Sequence, residues 1–209
     1  MKEQIALDLL TIGAVFLRPD QPFTWASGIK SPIYCDNRLT LTSPEVRTHV
    51  ETGLMNLIRE NYPDVEVLMG TSTAGIAHAA ITAHMMNLPM GYVRSGAKDH
   101  GRNNQIEGKL LPGQKVVVVE DLISTGMSSL TAKNALVNAG ADVMGMVAIF
   151  SYNFNQARKA FEDSNVELTT LSNYDTLIEV ATEIGYVKES EKEVLKEWRI
   201  SPSTWGKNE

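Results

Sequence analysis

The stretch Val116-Val117-Val118-Val119-Glu120-Asp121-Leu122-Ile123-Ser124-Thr125-Gly126-Met127-Ser128-Ser129 decides how the rest of this 209-residue chain is read. Four consecutive valines make a short, wholly apolar, β-branched run, the pattern of a strand buried on both faces of a parallel sheet. Two carboxylates, Glu120 and Asp121, follow where that strand should end. Ser124 to Ser128 then supplies small hydroxyl residues and a glycine, and residues 129–139 have helical character up to Gly140. A strand, a small-residue turn and a helix start form an anion-binding arrangement, because free backbone N–H groups and the helix dipole both favour negative charge there. Two acids directly before such a turn would repel a bare phosphate. They suit a ligand that also offers hydroxyls or a bound cation, and a ribose phosphate does so. The plainer reading is a buried strand whose acids merely begin a solvated turn.

Outward from this stretch the chain alternates strand and helix. Strands are expected at 65–70, 90–94, 143–150 and, more weakly, 166–171, and helices at 76–86, 155–163, 174–184 and 189–198. That alternation predicts an α/β fold with a central parallel sheet flanked by helices. Upstream, Ile5, Leu9, Ile12 and Val15 recur at helical spacing over residues 3–15. Residues 23–36 read as two short strands joined by the Ser27-Gly28 turn, with Pro32 holding the second to a strand start or edge. Residues 1–40 are therefore expected to form a small lobe outside the main sheet, and residues 41–209 one core with a loose tail at 201–209. Ser43 is placed to cap a helix that begins at Pro44 and runs to Asn61.

Two more stretches belong on the carboxyl edge of such a sheet, where ligands of parallel α/β folds bind. Thr71-Ser72-Thr73-Ala74-Gly75 is a second small-residue turn after a strand, and two anion sites on one edge suit a ligand with phosphates at both ends. Arg94 ends a predicted strand. The glycine-rich, charged run after it, including Lys98, His100 and Arg102, is long for a structureless connection and reads as a lid. His49, His78 and His84 fall on predicted helices without metal-ligand spacing and read as structural.

Composition bounds the rest. With 43% hydrophobic residues the chain can bury a full core. A net charge of −6 argues against nucleic acid as the main partner. The single cysteine, Cys35, excludes an intrachain disulfide and a cysteine-based zinc cluster. No apolar run is long enough to span a bilayer, and the acidic start is unlike a secretory signal, so a cytoplasmic location is expected.

These blocks together resemble the orotate phosphoribosyltransferases, members of the type I phosphoribosyltransferases. Residues 116–129 resemble the ribose-phosphate motif of that superfamily. Phe23-Thr24-Trp25-Ala26-Ser27-Gly28-Ile29-Lys30-Ser31-Pro32-Ile33-Tyr34 resembles the family's N-terminal hood, and Arg94 with Lys98-Asp99-His100-Gly101 resembles its catalytic loop. The resemblance implies the type I phosphoribosyltransferase fold and transfer of a phosphoribosyl group from 5-phosphoribosyl 1-diphosphate (PRPP) to orotate, in pyrimidine biosynthesis. It implies Lys98, His100 and Asp121 as catalytic residues. It implies that Glu120 and Asp121 hold the ribose hydroxyls and that Leu122, Ile123, Ser124, Thr125, Gly126, Met127 and Ser128 hold the 5-phosphate. Arg94, Lys98 and His100 would bind pyrophosphate, with Thr71, Ser72, Thr73, Ala74 and Gly75 as the pyrophosphate turn. Ser124, Lys30, Ser27 and Gly28 would contact orotate. Mg²⁺ is implied as cofactor, held mainly by substrate and water, with no protein metal ligands. A homodimer with shared active sites is also implied, with no nucleic-acid or membrane partner. The family's frequent lysines are replaced here by Ala26 and Ala74, a second basic residue by Ser95, and an arginine after the fourth strand has no match in Ser151-Tyr152-Asn153-Phe154. A purine or xanthine phosphoribosyltransferase and a non-catalytic PRPP-sensing regulator are the competing readings.

Overall fold

The structure is a computed structural model and describes residues 1–25, 28–96 and 105–205. Apolar spacing makes the first helix, α1 (Lys2–Thr11), which buries Ile5, Leu9 and Leu10. It ends at Thr11, just short of the expected end near Gly13-Ala14. Gly13 takes φ +68°, and Val15 opens a strand instead. That strand, β1 (Val15–Leu17), precedes β2 (Phe23–Thr24), β3 (Lys30–Ser31) and β4 (Ile33–Cys35). β2 pairs antiparallel with β3, and β1 with β4, so the expected second strand is split in two at Pro32. Gly28, in the β2–β3 turn, adopts φ +81°, which only glycine takes without strain.

A 3₁₀ segment, Asn37–Thr42, then leads to α2 (Pro44–Asn61). Pro44 sits at the first helical position as expected, but the Ser43 side chain makes no capping hydrogen bond. The remaining elements are β5 (Val67–Thr71), α3 (Ala74–Met86), β6 (Met90–Val93), β7 (Ile106–Glu107), β8 (Lys115–Ile123), α4 (Met127–Asn138), β9 (Asp142–Ser151), α5 (Asn155–Asp163), β10 (Leu168–Asn173), α6 (Tyr174–Glu183) and α7 (Lys192–Ile200).

Six strands form one sheet in the order β10-β9-β8-β5-β6-β7. Every pairing is parallel except β6 with β7. β7 is an addition to the expected sheet. It lies inside the polar run, and its two residues pair through the backbone with Tyr92 and Val93. β8, the valine strand, lies between β5 and β9, and all four valines are fully buried. From β5 the chain builds outward through β6, then returns to β8 on β5's other side. The carboxyl ends of β5 and β8 therefore flank a topological switch point, where a crevice opens between diverging connections. No helix among the described residues is long and apolar enough to cross a membrane.

The carboxyl-terminal helix closes back on the amino-terminal hairpin. Trp198 of α7 is wholly buried, stands edge-on to Trp25 at 5.7 Å between ring centres, and donates from Nε1 to the Lys30 carbonyl at 3.1 Å. Tyr152, Phe154 and Tyr174 pack around the same indole.

Candidate active site

A cleft of about 510 Å³ occupies the switch point. Its floor is the end of β8, with Glu120, Asp121 and Leu122. One wall is the turn Thr71–Ala74, and Ser128 at the start of α4 faces it. Arg94, Ser95 and Gln105 form the far rim, and Cys35, Asp36 and Arg38 the near one. Both anion-binding turns expected from sequence thus open on one cavity. Gly126, the residue before α4, has φ +80°, and a Cβ there would lie 2.6 Å from the Phe161 ring. Glycine is required there on both grounds, and no side chain caps α4.

The two acids differ. Glu120 is 7% exposed and already accepts two hydrogen bonds, from Ser129 Oγ at 2.8 Å and from the Asp121 N–H at 3.0 Å. Asp121 is less buried. Burial, then the neighbouring Glu120 carboxyl, push its pKa up to about 7. The site therefore holds one carboxyl fixed by two donors and one that is half-protonated near neutral pH. The Asn37 amide donates to the Asp121 carbonyl at 2.7 Å and fixes the backbone of this residue.

The Arg94 guanidinium reaches the cleft half-buried. Among the described residues its Nη1 has no hydrogen-bond partner, and its ion-pair oxygen is on Glu107 at 3.7 Å. A buried, unfilled donor on a cleft wall is suited to a ligand oxyanion. The Arg94 N–H donates to the Gln105 carbonyl at 2.8 Å, so the β6–β7 pairing brings both residues to the rim. Asp36 and Arg38, missed in the sequence reading, form a two-pronged ion pair at 2.6 and 2.7 Å, which holds the Asp36 carboxyl below its usual range. The Asp-Asn-Arg run directly after a short strand was the available signal.

A second pocket of about 480 Å³ adjoins the cleft, and Cys35 and Leu122 line both. Phe23, Trp25, Tyr34 and Tyr152 give it aromatic walls, and Ser124 gives it a hydroxyl. Its dimensions and flat apolar faces suit a planar heterocycle. The Lys30 Nζ donates to the hydroxyl of Thr24, which also lines this pocket.

Among the other residues expected in the site, Thr125 is half-buried in the turn after β8, and Met127 and Ser128 are exposed. The Ile123 side chain is buried in the core, and its carbonyl accepts from Tyr152, so it lies under the cleft rather than in it. Gly75 lies in the first turn of α3, packed on the Val119 carbonyl. Gly28 occupies the exposed hairpin turn. Ser27, Lys98 and His100 lie outside the described residues, as do Ala26, Arg102 and part of the tail. No group of three or more His, Cys, Asp or Glu side chains among the described residues could cage a metal ion. Mg²⁺ entering on substrate oxygens and retaining its waters is compatible with that donor set.

Comparisons with known proteins agree with this geometry. Residues 41–184 match the family model of the phosphoribosyl transferase domain. The chain is 57% identical over 207 residues to the orotate phosphoribosyltransferase of Listeria innocua, covering 99% of each chain. It is also 57% identical over 203 residues to that of Bacillus cereus, covering 97% of each. The crystal structure of orotate phosphoribosyltransferase from Aeropyrum pernix superposes with a TM-score of 0.77 at 28% identity, over 88% of this chain and 99% of that one.

Proposed function

Because the chain belongs to the orotate phosphoribosyltransferase family, we propose that it transfers the 5-phosphoribosyl group of PRPP to orotate, giving orotidine 5-phosphate and pyrophosphate, in the cytoplasm. The observation that carries this reading is the two-chambered site. A polar cleft with two anion turns shares Leu122 and Cys35 with an aromatic pocket, so a sugar phosphate and a planar base would meet at the shared wall.

The chemistry follows from the residues. As pyrophosphate leaves C1, the ribose ring gains positive charge and the leaving group negative charge. No protein nucleophile is needed. Cys35 remains a neutral thiol, since burial, Asp121 and Asp36 all raise its pKa. Catalysis is then orientation and electrostatics. Asp121 and Glu120 accept the ribose hydroxyls, with Glu120 oriented by the Ser129 hydroxyl. The residues 122–128 receive the 5-phosphate. Arg94 and the turn 71–75 take the pyrophosphate, joined by Lys98 and His100. Mg²⁺, when bound, would be held by substrate oxygens and water and would offset the pyrophosphate charge. Orotate lies between the aromatic walls with Ser124 at its edge, and Lys30 and the Ser27-Gly28 turn of the 1–40 hood cover it against the 41–209 core.

Purified protein with PRPP and Mg²⁺ is expected to consume orotate, read continuously by its absorbance loss, and to leave adenine, hypoxanthine and xanthine unchanged in the same assay. Preference for a purine, or binding of DNA or RNA without turnover, would replace the reading. We further propose a homodimer with shared active sites, in which Lys98 and His100 act in the neighbouring subunit's site. Mixed Lys98→Ala and Asp121→Asn subunits are then expected to regain activity in hybrid dimers, and no recovery would exclude sharing.

A further inference from the structure

The sugar cleft and the base pocket are held by different parts of the chain. The cleft stands on the ends of β5 and β8 and the turns after them, and no residue that lines it comes from α7. The aromatic pocket leans on the 23–31 hairpin, which is slight. Its strands pair through two residue pairs, Phe23 with Ser31 and Thr24 with Lys30. A lone two-stranded hairpin is marginal in water, so what packs behind it sets where it stands. Trp25, directly after β2, joins the hairpin to the pocket. Its backbone N–H donates to the Ile29 carbonyl at 2.9 Å, its indole Nε1 reaches the Ile33 carbonyl at 3.3 Å, and its ring is part of the pocket wall.

Behind this hairpin is α7. The wholly buried Trp198 ring stands edge-on to Trp25 at 5.7 Å and to Tyr152 at 5.8 Å, and both of those rings line the pocket. Trp198 itself lines neither chamber. Its Nε1 donates to the Lys30 carbonyl at 3.1 Å, so one side chain braces two wall rings and grips β3 by its backbone. Ring packing tolerates sliding, whereas a hydrogen bond fixes distance and direction. From its far side α7 is clamped to α6, where the buried Tyr174 hydroxyl donates to the Leu195 carbonyl at 3.0 Å. The hairpin is thus hung from a helix that is fixed to the core. Lys30 and Thr24, joined by their side chains at 3.0 Å, ride on the two strands so held. We propose that Trp198 is a positioning residue for the acceptor base: it touches no substrate, and it sets the gap between Trp25 and Tyr152 and the place of Lys30, where orotate is received. The proposal rests on the orotate reading above.

The test is a comparison of KM values. Trp198→Phe keeps an aromatic ring in place and removes the N–H. KM for orotate is expected to rise about three- to tenfold, the scale of one hydrogen bond, with KM for PRPP unchanged. Tyr174→Phe is the control. It removes a buried hydrogen bond from the other side of α7, so it should lower Tm and leave KM for orotate as in wild type. An unmoved KM for orotate in Trp198→Phe overturns the inference, as does an equal rise in both KM values or the same rise in Tyr174→Phe. Wild-type protein that does not consume orotate overturns the functional reading instead, so the two failures are distinguishable. If Trp198→Phe does not fold, the wild-type indole ¹H–¹⁵N spectrum decides. The chain has three tryptophans, and Trp198 alone is wholly buried, so its N–H is the slowest of the three to exchange with solvent. That signal should move when orotidine 5-phosphate fills both chambers and stay in place with ribose 5-phosphate, which fills the cleft alone. A signal that ignores both ligands, or moves equally with both, overturns the proposal.

Discussion

Asp121→Asn is expected to lower kcat/KM for PRPP at least ~10²-fold, the scale of removing a key electrostatic group, while making the folded protein more stable above pH 7. The sign follows from the raised pKa of Asp121, about 7 against the 3.8 usual for an aspartate. Between those values the folded protein keeps a proton that the unfolded chain gives up. The stability associated with that proton is fully present below pH 4 and is lost as pH rises through 7. Asparagine has no such loss. Since Asp121 is partly open to the cleft, the gain is discounted to about 1–3 kcal/mol, or roughly 3–8 °C in Tm for a chain of this size. The gain should disappear when unfolding is measured near pH 4. Equal Tm values for wild type and variant at pH 8 would mean that Asp121 ionises freely. The wild-type kcat/KM for PRPP should correspondingly rise with pH up to about 7. The carboxyl proposed to accept the ribose hydroxyls is thus one the empty fold tolerates poorly as an anion, a trade expected of active sites.

Gly75→Ala should damage both the fold and the site. The added Cβ would lie 2.5 Å from the Val119 carbonyl and 2.6 Å from Thr71 Oγ1. Neither is the free end of a flexible side chain: one is strand backbone, and the other is a buried hydroxyl bonded to that same carbonyl. The start of α3 must move off β8, and the turn 71–75 moves with it. A loss of about 1–3 kcal/mol is expected from overpacking of this kind. Misplacing the turn should cost activity by ~10²-fold, as reacting groups displaced by an ångström typically do. Urea unfolding and the orotate assay measure the two separately. Wild-type values for both would show that the helix can withdraw without disturbing the cleft.

The valine strand, the small-residue turns and the strand–helix alternation were legible because each is local. Periodicity of two or 3.6, a glycine needing positive φ, and acids at a strand end all leave their mark within a dozen residues. What was not legible depends on pairing at a distance. β7 is two residues of a charged run, and its strand character comes from the neighbouring β6 rather than from its own side chains. The aromatic pocket draws Trp25, Tyr34 and Tyr152 from three separate places. Adjacent in sequence, Glu120 and Asp121 differ in their surroundings through the Ser129 hydroxyl, which donates to Glu120 from the helix after the turn. The buried Glu51–His78 contact joins two helices across 27 residues, a separation no local pattern marks.

The indole N–H of Trp198 donating to the Lys30 carbonyl has a consequence for how the protein comes into being. On the ribosome Lys30 emerges 168 residues before the Trp198 that secures its hairpin. The turns after β5 and β8 can assemble before that helix is made. The aromatic wall is completed only once Trp198 has emerged, so a product terminated before it would hold the cleft without a finished pocket beside it.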